Sequence, residues 1–268
     1  MDTSLPRTLS RRQSDILALL QEAGRVSVED LAARFAVTPQ TIRRDLIELS
    51  QTRALIRVHG GAMVASGVAN LAYDARKLVA QTQKRLIGEA AARLIPDHSS
   101  LFINIGTTTE EVARALGGHS GLLVITNNLQ VANELYRNPA LEVILAGGTV
   151  RRSDGAMVGA ATVEHIRQFR ADIAVIGTSA IDPDGTMLDF DSREVQVSRA
   201  IIESARRVLL VADSSKFTRS APVRIAHLKD VDVLVTDRLR LPETTELCAE
   251  HGVQVVEAGG PEEPDNPE

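Results

Sequence analysis

Four short polar segments of the sequence have residue types that suit an anionic ligand. They are Gly106-Thr-Thr-Thr109, Thr126-Asn-Asn128, Gly147-Gly148 and Asp213-Ser-Ser-Lys216, and each follows an apolar run. Glycine lets the backbone approach a ligand closely, and the free amides at a helix start attract anions, phosphate above all. Lys216 would add the positive charge that a phosphate favours. One such segment alone would more often be a capped helix with nothing bound, but four together predict a pocket for a phosphorylated molecule.

The apolar runs before these segments predict the sheet that would position them. Strands are expected at 100–105, 122–126, 141–146, 172–177, 207–212 and 231–236. Helices are expected at 84–94, 109–116, 129–136, 162–169 and 193–205. Alternating strands and helices indicate a mostly parallel sheet covered on both faces. Ligands of such sheets bind beyond the carboxyl ends of the strands, which is where the polar segments fall.

A second group of residues predicts contact with DNA. The stretch 27–46 has the pattern of two short helices joined by a turn, with Ser27 capping the first helix and Thr38 and Pro39 beginning the second. Ile42 and Leu46 would face the core. The residues left exposed near the start of the second helix, where a recognition helix reads bases and holds phosphates, are Thr38, Gln40, Thr41, Arg43 and Arg44.

The flanks of this helix pair favour DNA binding over an ordinary surface helix pair with solvated arginines. Upstream, apolar residues at 16–20 predict a first helix that ends near Gly24. Downstream, residues 55–61 predict a β-hairpin wing, on which Arg57 and His59 would reach the DNA backbone. Residues 10–65 are therefore expected to form a winged helix-turn-helix domain.

Two motifs make a family resemblance specific. Thr41-Ile-Arg-Arg-Asp-Leu46 and Arg57-Val-His-Gly-Gly-Ala62 resemble the signature of the DeoR family of bacterial transcriptional repressors. The resemblance runs from about Ser10 nearly to the end of the chain. It implies an α/β protein with an N-terminal winged helix-turn-helix and a C-terminal, mostly parallel α/β sensor domain that resembles ribose-5-phosphate isomerase. Such sensors typically respond to phosphorylated sugars or polyols.

The same resemblance implies the effector site. The polar segments match the family's ligand loops, and Glu194 is a further candidate acceptor for a ligand hydroxyl, its alternative being a solvated helix residue. The effector-binding candidates are Asn104, Gly106, Thr107, Thr108, Thr109, Thr126, Asn127, Asn128, Gly147, Gly148, Glu194, Asp213 and Lys216. Family members often have Asp at position 104, whereas Asn104 can accept a hydrogen bond from a ligand hydroxyl but brings no charge. Segments at 102–108, 124–133 and 144–148 are similar to family members that repress glycerol metabolism genes, which implies glycerol 3-phosphate as inducer; another sugar or polyol phosphate is the alternative.

Charge is unevenly distributed along the chain. Residues 1–60 hold nine Arg, no Lys and seven acidic residues, a net charge of +2, whereas the remainder holds 21 basic and 28 acidic residues, a net charge of −7. A DNA-binding domain this weakly basic predicts a homo-oligomer, a dimer or tetramer, in which two such domains bind double-stranded operator DNA together. Residues 66–80 are expected to be a linker, 81–256 the sensor and oligomerisation domain, and 257–268 a disordered acidic tail.

Composition limits the remaining possibilities. The single cysteine fits a reducing cytoplasm, and no signal peptide or membrane-spanning run is apparent. The six His show no metal-binding spacing, and no cofactor is expected. An isomerase-like enzyme would need paired acids, but the matching strand end is Gly177-Thr-Ser-Ala-Ile181, so no catalytic residue is expected. A constitutive architectural DNA binder would have no use for the pocket segments.

Overall fold

In the computed structural model, residues 10–23, 25–51, 55–58, 60–63 and 73–259 are described. The chain divides into two compact units, here called the N-terminal unit (residues 1–81) and the C-terminal unit (residues 82–268). None of the helices in the described ranges is long and apolar enough to cross a membrane.

The N-terminal unit contains the helices and the wing expected from the sequence. Its elements are α1 (Arg11–Ala23), β1 (Arg25–Ser27), α2 (Val28–Arg34), α3 (Pro39–Gln51), β2 (Ile56–Val58), β3 (Gly61–Met63) and α4 (Tyr73–Leu78). Ser27 caps α2 by accepting a hydrogen bond from the Asp30 amide at 3.0 Å. Ile16, Ile42 and Leu46 lie in one buried apolar core, so the periodicity of the sequence placed this core correctly.

The wing has one strand more than the predicted hairpin. Strands β1, β3 and β2 lie in this order in an antiparallel sheet, and Gly61 on β3 pairs with Ser27 on β1. A Cβ atom at Gly61 would lie 2.1 Å from the Val26 carbonyl oxygen, so this close pairing requires glycine. Three residues before a helix give too short a pattern to predict such a strand.

The predicted linker at 66–80 contains ordered structure. Residues 73–78 form helix α4, and Val79 is buried in the core of the N-terminal unit. The C-terminal half of that segment therefore packs as part of a folded unit, because an apolar residue has a core to join. Residues 64–72 lie outside the described part of the chain.

The C-terminal unit is built on a seven-stranded parallel sheet. Its helices are α5 (Gln81–Ala92), α6 (Thr107–Ala115), α7 (Leu129–Leu135), α8 (Ala160–Arg167), α9 (Ser192–Glu203) and α10 (Pro242–Glu250). Its strands are β4 (Ser100–Ile103), β5 (Leu122–Thr126), β6 (Leu141–Leu145), β7 (Thr149–Val150), β8 (Met157–Val158), β9 (Ala171–Ile176), β10 (Ala180–Ile181), β11 (Thr186–Asp189), β12 (Ala205–Val211), β13 (Val223–His227), β14 (Val233–Thr236) and β15 (Gln254–Glu257). The order in the large sheet is β15-β14-β12-β9-β4-β5-β6, and every pairing in it is parallel.

Alternate residues of the central strands enter two separate apolar cores, one on each face of the sheet. Phe102 belongs to one core, and Leu101 and Ile103 belong to the other. The fold class expected from the sequence is thus confirmed: a winged helix-turn-helix followed by a parallel α/β domain.

Several elements of this unit were not predicted. A small antiparallel sheet, β10-β11-β13, and the hairpin β7-β8 stand apart from the main sheet. Strand β15 extends to Glu257, so the predicted disordered tail starts inside a strand that pairs with β14. Residues 260–268 of that tail lie outside the described part of the chain.

Candidate DNA-binding face and effector site

The first turn of α3 presents the residues expected to meet DNA. Thr38 Oγ1 accepts a hydrogen bond from the Thr41 amide at 3.2 Å, which caps the helix, and its hydroxyl lies 2.9 Å from that of Thr41. Gln40, Arg43 and Arg44 are exposed. Within the described ranges Arg43 has no ion pair, whereas Arg44 Nε lies 3.6 Å from Glu48 Oε1. The α3 candidates therefore share one exposed surface.

The wing candidates are less defined. Arg57 lies on β2, where its backbone pairs with Ala62 of β3. His59 lies outside the described residues. The assignment of both side chains to the DNA backbone stays a prediction.

Sequence reasoning missed an ion pair behind this face. Arg12 of α1 binds Asp45 of α3, with Nε donating to Oδ2 at 2.6 Å, and Asp45 is buried. The hydrogen bond to the Asp45 carboxylate raises the pKa of Arg12 above its usual value, although burial opposes the shift. The position of Asp45, three residues after buried Ile42, was the signal that it faces inward.

In the C-terminal unit the polar segments begin at a common level of the sheet. Ile103 at the end of β4 pairs with Thr126 of β5, and Thr126 pairs with Leu145 of β6. On the other side, Ile103 pairs with Val175 of β9, and Leu210 of β12 pairs with the residue after it, Ile176. The sheet therefore brings the segments after β4, β5, β6 and β12 to one edge, as expected.

The amino terminus of α6 is open, and the helix begins two residues earlier than expected. Gly106 is the N-cap at φ +152°, and no side chain caps the helix. The Thr109 hydroxyl donates to the carbonyl oxygens of Asn104 and Gly106 at 2.7 and 2.8 Å, so it braces the loop. The first-turn amides of Thr107 and Thr108 have no acceptor within a helix, and both side chains are buried. This turn can hold an anion.

The segment after β5 contains one buried acceptor without a donor. Thr126 Oγ1 donates to the Ile103 carbonyl oxygen at 2.6 Å, and Asn128 caps α7 and donates to Glu110 Oε1 at 3.3 Å. Asn127 Nδ2 donates to the Met157 carbonyl oxygen at 3.2 Å, but Asn127 Oδ1 has no hydrogen-bond partner in the described structure. A buried acceptor without a donor is costly, so a ligand hydroxyl would satisfy it.

Asn104 is fixed by its neighbours. Its Oδ1 accepts from the Ile105 amide at 2.7 Å, and its Nδ2 donates to Ser198 Oγ of α9 at 2.8 Å. Ser198 Oγ in turn donates to the Glu194 carbonyl oxygen at 3.2 Å. The Ser198 proton is therefore committed to a backbone carbonyl, and this arrangement suits an amide at position 104.

The two glycines after β6 differ in their surroundings. A Cβ at Gly147 would meet no atom within 4 Å, whereas a Cβ at Gly148, where φ is +144°, would lie 2.0 Å from Thr162 Oγ1. Thr162 Oγ1 donates to the Gly147 carbonyl oxygen at 2.9 Å. Gly148 thus serves close packing against α8, and Gly147 faces open space.

The segment after β12 combines a buried carboxylate with lysines. Asp213 Oδ2 is buried without a hydrogen-bond partner in the described structure, while Oδ1 accepts from the Ser215 amide at 3.2 Å. Burial would raise the pKa of Asp213, but the charges of Lys216 and Lys84 outweigh it and the pKa is lowered. Lys84 on α5 is buried, and sequence reasoning did not select it, because it lies far from Asp213 along the chain.

Glu194 is held in an ion-pair cluster that the sequence did not predict. Arg151 Nη2 lies 2.5 Å from Glu194 Oε2, and its other contacts are Asp154 Oδ2 at 2.6 Å and Asp191 Oδ2 at 2.9 Å. The pKa of Arg151 is raised: burial would lower it, but the hydrogen bond to Asp154 and the charges of Glu194 and Asp154 outweigh burial. The sequence suggested that Glu194 either accepts a ligand hydroxyl or is solvated. In the structure its carboxylate is buried and paired with Arg151.

No group of three or more His, Cys, Asp or Glu side chains in the described ranges could hold a metal ion.

A winged helix-turn-helix followed along the chain by a parallel α/β domain is the architecture of a ligand-responsive transcription factor. Family comparison agrees: the DeoR-like helix-turn-helix domain matches residues 12–68, and the DeoR C terminal sensor domain matches residues 79–238. The chain belongs to the DeoR family.

Several relatives with high sequence identity are repressors. A glycerol-3-phosphate regulon repressor from Haemophilus influenzae is 50% identical over 227 residues, which cover 85% of this chain and 89% of that protein. One of the same name from Escherichia coli (strain K12) is 44% identical over 246 residues, covering 92% and 98%. The chain is accordingly a DNA-binding transcriptional repressor and not an enzyme.

One solved structure that the chain resembles is a distant match. Ribose 5 phosphate isomerase A from Neisseria gonorrhoeae aligns with 50% of this chain and 52% of its own length, at 15% identity and a TM-score of 0.37. A match this weak carries no argument about function.

Proposed function

We propose that this repressor controls genes of glycerol metabolism and leaves its operator when glycerol 3-phosphate binds to the C-terminal unit. The observation that carries the proposal is the open first turn of α6 at the sheet edge, with the amides of Thr107 and Thr108 free for an anion. The names of the relatives that are 50% and 44% identical support glycerol 3-phosphate as that anion.

The candidate residues divide into those that would touch the effector and those that would shape its pocket. The α6 amides and Lys216 would hold the phosphate, since cation and amide donors both stabilise it. Asn127 Oδ1 and Asp213 Oδ2, buried acceptors without donors, would accept hydrogen bonds from the ligand hydroxyls. Residues whose polar atoms already bind the protein would act as supports: Asn104, Thr109, Thr126, Asn128 and Glu194.

The remaining partners follow from the same proposal. Operator DNA would be read by α3 and the wing. Two DNA-binding domains on repeated half-sites would raise the affinity of a weakly basic domain, so the protein would act as a homo-oligomer in the cytoplasm. No cofactor is needed for this function.

A different sugar or polyol phosphate is the alternative effector. The amide at Asn104, where family members often carry a carboxylate, is bound to Ser198 and brings no charge to the pocket. A longer phosphorylated chain would find the same anion site but different hydroxyl partners.

The test is operator binding by the purified full chain, titrated with a panel of ligands at fixed salt. Glycerol 3-phosphate should release the operator, and unphosphorylated glycerol, the matched control, should not, because it offers no charge to the α6 amides and Lys216. Equal potency of the two compounds would contradict the anion site. Release only by another phosphate ester would overturn glycerol 3-phosphate as the effector, and the assignment of the protein as a repressor would stand.

A further inference from the structure

A chain of polar contacts leads from the first turn of α1 to the exposed face of α3. Arg12 holds Asp45 with two donors, Nε at 2.6 Å from Oδ2 and Nη2 at 3.3 Å from Oδ1. Gln13 Nε2 donates to Glu48 Oε2 at 2.8 Å and approaches Asp45 Oδ1 at 3.4 Å. Glu48 Oε1 lies 3.6 Å from Arg44 Nε. This series of contacts thus ends at Arg44, a residue expected to touch DNA.

The residues at the start of this series of contacts are themselves held in place. Ser10 and Gln13 exchange hydrogen bonds, the Ser10 amide donating to Gln13 Oε1 at 2.9 Å and the Gln13 amide donating to Ser10 Oγ at 3.2 Å. Gln13 is buried, so its carboxamide has one orientation and a defined direction toward Glu48. The contacts of Gln13 with Ser10, Asp45 and Glu48 therefore have a fixed geometry, and the more exposed Arg44–Glu48 pair lies at their outer end.

These contacts orient α3 more than they stabilise the folded state. Apolar residues from α1 and α3 already fill the core, among them Ile16, Ile42 and Leu46. A buried ion pair adds little net stability, because desolvation of the two charges offsets their attraction. The planar guanidinium of Arg12, however, binds a carboxylate in one plane, which fixes the rotation of α3 about its axis.

Charge gives the pair a second effect. Asp45 adjoins Arg43 and Arg44 in the sequence, and a free carboxylate there would repel DNA phosphates. Arg12 neutralises it from the inner side of the helix. Glu48 meets Arg44 at Nε, and the Arg44 side chain is 84% exposed, so the rest of its guanidinium stays accessible.

We propose that Arg12 and Gln13 are positioning residues for operator recognition, which set the rotation of α3 through Asp45 and the direction of Arg44 through Glu48. The inference rests on the assignment of α3 as the recognition helix. Its consequence is that loss of this network reduces discrimination between operator and other DNA while the fold and the general attraction to DNA remain.

The decisive variant is the double substitution Arg12→Leu with Asp45→Leu in the full chain. It removes one positive and one negative charge, so affinity for non-operator DNA, which follows charge, should stay within about twofold. An apolar pair packs in place of the ion pair, so thermal unfolding of the variant should occur at the parent temperature or above it. Operator affinity should fall about tenfold, since the base-reading side chains lose their fixed direction.

Arg11→Leu is the matched control. Arg11 is exposed on the same helix and adjoins Arg12, and its loss removes one positive charge without touching Asp45. It should weaken operator and non-operator binding to the same degree, so the ratio of the two affinities stays at the parent value. Gln13→Met, which keeps the length and helix propensity of the side chain, should lower that ratio about threefold, and it tests the network even where the double variant does not fold.

Arg43→Ala distinguishes the failure of this inference from the failure of its basis. Normal operator affinity in a folded Arg43→Ala variant would show that α3 is not the recognition helix. If Arg43→Ala weakens operator binding but Gln13→Met and every folded form of the double variant keep the parent ratio, the positioning role alone is overturned.

Discussion

At the scale of single residues, the sheet edge formed by the segments after β4, β5, β6 and β12, here called the effector edge, contains two kinds of polar atom. Some already have hydrogen-bond partners within the protein, and others do not. The hydroxyl of Thr109 and both polar atoms of Asn104 bind the protein itself. Asn127 Oδ1 and Asp213 Oδ2 are buried acceptors without donors in the described structure. A sequence motif names all of these residues alike, and only their contacts divide supports from ligand contacts.

Lys216 gives the sharpest test of the phosphate assignment. Lys216→Ala should produce a repressor that binds its operator normally but needs at least about tenfold more glycerol 3-phosphate for release, because a charge-assisted contact is lost. Lys229→Ala is the control, since Lys229 is an exposed lysine of the same unit. Both variants would be measured by operator binding during ligand titration. Release of Lys216→Ala at the parent concentration would place the phosphate elsewhere.

Asp191 predicts a dependence of stability on pH. Hydrogen bonds from Arg193, and further contact with Arg151, lower the pKa of Asp191 well below its usual value, against the effect of burial. The folded state thus favours the charged form. The stabilisation is fully present above the unfolded pKa of about 3.9 and is lost as pH falls toward the lower folded pKa.

Asp191→Asn should therefore be less stable than the parent at pH 7, and its free energy of unfolding should decline less steeply between about pH 5 and pH 2. Denaturant unfolding of the C-terminal unit, followed within the full chain, measures both effects. Glu246→Gln, which alters an exposed carboxylate of the same unit, is the comparison. Parallel pH profiles for Asp191→Asn and the parent would exclude a stabilising role for the Asp191 carboxylate.

At the scale of elements, the sequence predicted best what depends on continuous local patterns. The buried strands β4, β5, β9 and β12 are apolar runs between polar loops, so their existence and order of occurrence could be read directly. The capped helices of the N-terminal unit carry their own start signals in Ser27 and Thr38.

Elements that depend on distant partners could not be read in this way. Strand β1 has three residues and exists because Gly61 permits close pairing. The Arg151 cluster joins residues about 40 positions apart, and nothing in the spacing of Asp154, Asp191 and Glu194 marks them as neighbours. The candidate anion site could be proposed from the sequence because the residues of each polar segment are contiguous, whereas the positions of Lys84 and Arg12 required the fold.

The loop between β6 and β7 supplies a prediction at this scale. Gly148→Ala should destabilise the C-terminal unit by about 1–3 kcal/mol, because the new methyl group would overlap Thr162 Oγ1 in a backbone conformation that alanine disfavours. Gly147→Ala, one residue earlier, should fold with parent stability, since a Cβ there meets nothing within 4 Å. Its methyl group would occupy open space at the effector edge and should weaken the effector response. Equal unfolding temperatures for the two variants would contradict this packing.

At the scale of the whole molecule, charge and chemistry are divided between the two units. The N-terminal unit, residues 1–81, holds 11 basic and 8 acidic residues, a net charge of +3, and the C-terminal unit holds 19 basic and 27 acidic residues, a net charge of −8. The DNA-binding and effector-binding surfaces are thus proposed on separate units of opposite charge, and a regulatory function requires that occupancy of one surface alters the affinity of the other.

Thermodynamic linkage makes that coupling testable in both directions. A hundredfold loss of operator affinity on effector binding corresponds to a coupling free energy of about 2.7 kcal/mol. Saturating operator DNA should then weaken the binding of glycerol 3-phosphate by the same factor, because the cycle of binding steps closes. Calorimetric titration of glycerol 3-phosphate into the full chain, with and without an operator duplex, measures this factor directly.

A duplex of unrelated sequence at the same concentration and salt is the control, and it should leave effector affinity nearly unchanged because it occupies little of the protein. Lys216→Ala should bind the effector at least about tenfold more weakly with or without DNA, whereas Arg43→Ala should bind effector normally and lose the response to the operator. Equal effector affinity with and without the operator would mean, by the same cycle, that glycerol 3-phosphate does not release the operator by binding to this protein, and the proposed coupling between the two units would be wrong.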